Sequence, residues 1–133
     1  MATNQSDLAD LLLKLLMSRG EAFIGLSTLQ PAADEPPSLA AFSGTEPVNF
    51  IGYERQRVDM RDWKMEDGRA IGPQVVWRNG DARPWPTLRS SFIATTQRGS
   101  GVLLGWSMLK APRLLMNSDS LALESSINLE ATI

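Results

Sequence analysis

Leucine residues recur at helical spacing near the start of the chain. Between Ser6 and Arg19 they define one apolar face, made of Leu8, Leu11, Leu12, Leu15 and Leu16. Asp7 favours the positive end of a helix dipole, and Gly20 is placed to end the helix. The pattern predicts an amphipathic helix in an N-terminal arm of residues 1–20. Its apolar face must be covered, either by the open end of a β-sandwich or by another copy or a partner surface.

After this arm the pattern changes to short runs with strand character. Glu21–Thr28 is the first, and the runs Ser91–Thr95 and Val102–Trp106 flank a Gln-Arg-Gly-Ser-Gly turn, as in a β-hairpin. Further short runs follow, separated by turn residues. We therefore expect a mainly β fold, a jelly-roll-like antiparallel β-sandwich that forms a single domain over residues 21–133. Its core is expected to contain Phe92, Ile93, Val102, Leu104 and Trp106.

A proline-rich segment, residues 30–48, interrupts the strands. Its prolines prevent regular pairing in a central strand, which predicts a long loop or extended arm. Such a loop serves either as a solvated connection or as a contact arm. The candidate contact residues within it are Pro36, Pro37 and Phe42. Farther along, Gly72-Pro73 and Asn79-Gly80-Asp81 each predict a turn.

The stretch from Tyr53 to Met60 alternates like a half-buried strand but is unusually polar. Its polarity is typical of a strand at an edge or an interface, so Tyr53 and Arg55 are candidate interface residues. Acidic residues of this region interleave with basic ones and match no calcium-loop spacing. We interpret them as a solvated, salt-linked face rather than as a pair of catalytic carboxylates.

Four tryptophans are many for a chain of this length. Trp77 and Trp106 occur within apolar strands, which favours packing in the core. Trp63 and Trp85 occur among polar or turn residues, so they are the better candidates for an interface or for stacking on a sugar.

Composition removes several function classes from consideration. The chain has 133 residues, of which 43% are hydrophobic, enough for one folded domain. It contains no cysteine and no histidine, so disulfides, thiolate zinc sites and histidine-based catalysis are excluded. The formal net charge of −2 gives no reason to expect nucleic-acid or acidic-membrane binding. We identify no catalytic, metal or cofactor residues, and no run long and apolar enough to span a membrane.

The order of several short motifs resembles a family of small tailed-bacteriophage virion proteins, described as tail-fibre-like or as jelly-roll capsid decoration (cement) proteins. The matching elements are Phe23-Ile24-Gly25-Leu26-Ser27-Thr28, the proline-rich segment, Gly44-Thr45-Glu46, Gly52-Tyr53-Glu54-Arg55-Gln56, the hairpin from Ser90 to Leu109, and the turn and strands from Asp119 to Leu129. The resemblance begins near Ala22 and leaves out the N-terminal helix. Two departures are Gly99-Ser100-Gly101 in place of Gly-Gly and Ser118-Asp119 in place of Gly-Asp.

The resemblance implies a non-enzymatic protein, made in the host cytoplasm, that binds the outer surface of an assembled head. Its partner would be the major capsid protein, and it would act as a homo-oligomer, a trimer. The Leu-rich helix and the proline-rich segment are the expected contacts. Two alternatives stay open, a tail or neck adaptor or fibre-associated virion protein, and a glycan-binding β-sandwich.

Overall fold

Short strands separated by turn residues form two antiparallel sheets in this protein. The computed structural model describes residues 20–32, 34–35, 37–66, 69–99 and 101–128. The strands in this part of the chain are β1 (Glu21–Ser27), β2 (Gln56–Asp59), β3 (Lys64–Glu66), β4 (Arg69–Arg78), β5 (Leu88–Ala94), β6 (Leu103–Arg113) and β7 (Ser120–Asn128). A short helix, α1 (Leu39–Ser43), and a 3₁₀ turn (Met60–Asp62) complete the elements. The mainly β, antiparallel expectation is confirmed, whereas the predicted helix of the N-terminal arm lies outside the described residues.

The first sheet has the strand order β2-β1-β5-β6, and the second has the order β3-β4-β7. The predicted hairpin is present as the β5–β6 pair, in which Phe92 faces Trp106 and Ser91 faces Ser107. The strand order leaves β2 and β6 as the edges of the first sheet.

The central strands β1 and β5 are buried on both faces. On one face, Ile24, Leu26 and Ile93 belong to a core that also contains Trp77 and Leu121 of the second sheet. This cluster joins the two sheets through apolar burial, the main favourable contribution to folding.

The opposite face of β1 and β5 is covered by α1. Phe42 of α1 stacks on Phe92 of β5 with ring centroids 5.1 Å apart. Gly25 makes room for this arrangement, because a Cβ at that position would overlap the Phe92 ring. Two-sided burial explains why β1 is an almost continuous apolar run rather than an alternating one.

The structure corrects two expectations about local structure. The proline-rich segment contains α1, which begins after Ser38, whose Oγ accepts a hydrogen bond from the Ala41 N–H at 3.1 Å. Prolines exclude a central strand but permit a helix that starts after them. Gly72-Pro73 is not a turn but part of β4, at a register shift between Ile71 and Gln74. A bulge is where a strand tolerates a proline, which has no N–H to donate.

The predicted core is confirmed only in part. Phe92 and Ile93 are buried, and Leu104 is half-buried against the core that joins the sheets. Val102 and Trp106 are exposed, by 59% and 41% respectively, so their assignment to the core was wrong. Val102 directly precedes β6, and Trp106 lies on it. Strand β6 is at the edge of its sheet, and a local apolar pattern does not reveal whether a strand lies at an edge or at the centre.

Candidate protein-binding surface

The residues predicted to contact a partner are placed mostly inside the protein. The side chains of Phe42, Arg55, Trp63 and Trp85 are buried, and Tyr53 and Pro37 are half-buried. The prediction that these four side chains lie at an interface required them to be exposed, and the structure shows that they are not. Leu8, Leu12, Leu15, Leu16 and Pro36 lie outside the described residues.

Tyr53 and Arg55 are brought together on a buried carboxylate. Arg55 Nη2 lies 2.7 Å from Glu46 Oε1, and the two side chains are 1% and 3% exposed. The Tyr53 hydroxyl donates a hydrogen bond to the other Glu46 oxygen and accepts one from the Leu26 N–H at 3.1 Å. The pKa of Tyr53 is raised well above its usual value, first because the phenol is buried and then because the Glu46 carboxylate is adjacent.

This network joins the loop before β2 to the β5–β6 hairpin. Arg55 Nη1 donates to the carbonyl of Thr96 at 2.9 Å, and the guanidinium lies 5.1 Å from the centre of the Phe92 ring. A cavity of about 380 Å³ opens beside it, lined in part by Val48, Arg98 and Gly99. Since Glu46 is held by both Arg55 and Tyr53, we interpret the network as an internal brace rather than a chemical site.

A second polar network holds the loops at one end of the sheets. Asn79 is fully buried, and its side-chain amide donates to the carbonyls of Arg83 and Leu115 at 3.0 and 2.8 Å. Its Oδ1 accepts the Asp81 N–H at 2.7 Å. The carboxylate of Asp81 in turn accepts the N–H groups of Ile51 and Arg83 at 3.2 and 2.9 Å. Three loops that are distant in sequence therefore share one hydrogen-bonded hub.

The charge on Asp81 is stabilised by the same contacts. The Arg83 side chain donates two hydrogen bonds to the carboxylate, which, with the main-chain donors of Arg83 and Ile51, hold the pKa of Asp81 well below its usual range. The Arg83 guanidinium also lies 4.5 Å from the centre of the Phe50 ring and stays largely exposed. The hub is thus tied to a cation at the surface.

Three large apolar side chains project from the loops that the hub holds. Ile51 is 65% exposed, and Leu114 and Met116 are exposed by about half. We call these three residues the loop-end surface. Gly52, next to Ile51, has a φ of +96°, and a Cβ there would overlap the Arg78 carbonyl oxygen, so the loop follows a path that only glycine allows.

The loop-end surface presents exposed apolar side chains on loops that the hub joins by hydrogen bonds. Exposed apolar side chains on a rigid scaffold are typical of contact surfaces, because their burial on binding is favourable and little order must be imposed. From the sequence, Asn79-Gly80-Asp81 is expected only to form a turn. The Asp-x-Arg spacing of Asp81 and Arg83, which also occurs at Asp59 and Arg61, could have predicted the ion pair in the hub.

Among the described residues, no group of three or more His, Cys, Asp or Glu side chains could hold a metal ion. No helix of that part of the chain is long and apolar enough to cross a membrane.

The comparisons with known proteins add no relative. No protein-family model matches the chain, and no curated protein is significantly similar to it in sequence.

Proposed function

We propose that this chain is a structural protein of a tailed-phage virion that decorates the outer surface of the assembled head. Its scaffold would be a jelly-roll-like sandwich made of the two antiparallel sheets. The observation that carries the proposal is the loop-end surface, on which Ile51, Leu114 and Met116 are exposed while the buried Asn79 and Asp81 hold their loops in place. The order of sequence motifs supplies the virion context.

Decoration of this kind needs binding and not chemistry. A protein that binds the assembled lattice better than free capsid subunits stabilises the lattice by mass action. The loop-end surface is suited to such binding, because it offers apolar contact on loops that are already ordered. The exposed Arg83 next to it adds a cation that can pair with an acidic group at the rim of the contact.

A tail or neck adaptor would use the same surface on a different part of the virion and is the second candidate. The glycan-binding alternative relied on Trp63 and Trp85 as stacking platforms, and both rings are buried. We therefore develop the decoration proposal.

The test is co-sedimentation with heads assembled from the major capsid protein of the same virion. The substitution Met116→Glu places a charge in the loop-end surface and should weaken head binding at least tenfold, because a carboxylate would be buried in an apolar contact. The matched control is Val102→Glu, which alters a similarly exposed apolar side chain just before β6, at the opposite end of that strand from the loop-end surface. If Met116→Glu binds heads as tightly as the unmodified protein, the loop-end surface is not the contact.

A further inference from the structure

Within the described residues, no strand pairs with the outer side of β6, at the edge of the first sheet. The Leu26 N–H donates to the Tyr53 hydroxyl and so points away from β5. Main-chain groups in antiparallel pairs alternate in direction, so Ser91, which faces Leu26, directs its own groups toward β6, where Ser107 is its partner. Trp106 and Met108, on either side of Ser107, therefore turn their main-chain N–H and C=O groups to the open side.

Two large apolar side chains of β6 lie exposed near Ser107. Trp106 and Met108 are both more than 40% exposed. The Trp106 ring lies against Phe42 with centroids 6.1 Å apart, so it stands on a buried neighbour rather than free in solvent. The two residues with exposed apolar side chains, Trp106 and Met108, are therefore also the residues whose main-chain groups point to the open side.

The other edge of the same sheet is protected against pairing. Strand β2 carries Arg57 and Asp59, which form exposed ion pairs with Glu21 and Arg61. Charged side chains on a short edge strand discourage association, whereas a long apolar edge favours it. Strand β6 is the longer edge of this sheet, and its segment Gly105–Met108, between two register shifts, carries neither a charged side chain nor a bulge.

We propose that β6 pairs with β6 of a second copy, antiparallel, about a two-fold axis at Ser107. In this register Trp106 lies opposite Met108 of the partner subunit, twice by symmetry, which gives an aromatic–sulfur contact. The ladder centres on Trp106–Met108, within the part of β6 that keeps one register with β5, and the register shifts on either side limit its length.

The same register keeps like charges apart. Lys110 lies three residues from the axis in each copy, so the two Lys110 positions are separated by about 20 Å. A second copy therefore supplies both the extended backbone and the apolar side chains that this edge can accept, with no charge repulsion. The inference is independent of the proposed function, since it needs no capsid. It differs from the trimer that the sequence resemblance implied, which would use another contact.

Cysteine cross-linking tests the register directly. The chain has no cysteine, so a single introduced thiol can form a disulfide only with another copy. Ser107 would face its symmetry mate as a non-hydrogen-bonded pair with Cα atoms about 4.5 Å apart, within disulfide range. Ser107→Cys should form a covalent dimer under mild oxidation, and Lys110→Cys should not. Failure of Ser107→Cys to cross-link, or equal cross-linking of both variants, would overturn the proposal.

The mass in solution provides the second test. The unmodified chain should sediment at twice 14.6 kDa or at an even multiple of it. Met108→Glu should reduce that mass to one chain while its circular dichroism stays unchanged, and Met116→Glu should leave the mass as it is. A monomeric or trimeric mass for the unmodified chain would contradict the proposal. If Met108→Glu fails to fold, the cross-linking result decides. Because Met116→Glu probes head binding and Met108→Glu probes pairing, either proposal can fail without the other.

Discussion

Glu46 and Arg55 show how a charged residue in a polar stretch becomes part of the interior. Both side chains are almost fully buried, and Arg55 bonds to the carboxylate and to the carbonyl of Thr96. Buried ions are tolerated only when paired, and removal of one partner typically destabilises by about 3–5 kcal/mol because the other is left uncompensated. The pair therefore fixes how the loop before β2 meets the β5–β6 hairpin.

Tyr53, which shares this carboxylate, makes stability sensitive to alkaline pH. Its pKa is raised in the folded protein by burial and by Glu46, so the folded state retains a proton that the unfolded state loses above its ordinary value of 10.0. The stabilisation is complete below pH 10 and is lost as the pH rises beyond it, by up to about 1.4 kcal/mol per pH unit. Urea unfolding between pH 8 and 11 measures this slope.

The control for that measurement is Tyr53→Phe, which has no phenol to ionise. Its free energy of unfolding should fall less steeply above pH 10 than that of the unmodified protein. Parallel curves for the two proteins would show that Tyr53 ionises equally easily in both states, contrary to its buried position.

The burial of individual tryptophans could not be predicted from the sequence. Trp63 and Trp85 lie among polar and turn residues in sequence, yet both are buried, while Trp106 lies in an apolar run and is exposed. Neighbours in sequence do not reveal which residues distant in sequence cover a ring. Trp85, for example, packs edge-on against Tyr53, 32 positions earlier, with ring centroids 5.9 Å apart.

At the scale of elements, the chain contains two Asp-x-Arg ion pairs that differ in what they hold together. Asp59 and Arg61 form a local, exposed pair, and the pKa of Asp59 is lowered to about 2 by its hydrogen bonds from Arg61. Asp81 makes the same local pair with Arg83 but also accepts the N–H of Ile51, thirty residues away. Only the second pair joins separate loops.

The contrast gives a matched pair of substitutions. Asp81→Ala should clearly lower the free energy of unfolding, since the Ile51 N–H and the Arg83 guanidinium lose their acceptor. Asp59→Ala should lower it much less, as for an exposed ion pair. Hydrogen exchange at the Ile51 amide should accelerate in Asp81→Ala alone. Equal losses of stability, with unchanged Ile51 exchange, would mean that Asp81 does not organise the loop end.

Elements whose signal is local were the ones predicted from sequence. The first strand and the hairpin follow from apolar runs bounded by glycine, and the structure confirms both. The sequence does not predict helix α1, because the prolines near it favour a loop. Gly72-Pro73 resembled a turn because the register shift that accommodates it depends on pairing with β7. The hub at Asn79 could not be predicted from the sequence, because its hydrogen-bond partners are contributed by three separate loops.

At the scale of the whole molecule, the two proposed contact regions are distinct and compatible. The loop-end surface follows the last residue of β6, and the free edge runs along that strand. Antiparallel pairing of two copies places their loop-end surfaces at opposite ends of the joined sheet. Such a unit is suited to bridging two neighbouring sites on a lattice, where a second attachment raises the effective affinity.

The most direct test of the central claim is sedimentation of the purified protein with assembled heads and, separately, with unassembled capsid subunits of the same virion. Decoration predicts saturable binding to heads and at least tenfold weaker binding to free subunits, because only the assembled lattice is stabilised by mass action. Equal binding to both forms, or binding to isolated tails and not to heads, would contradict the account.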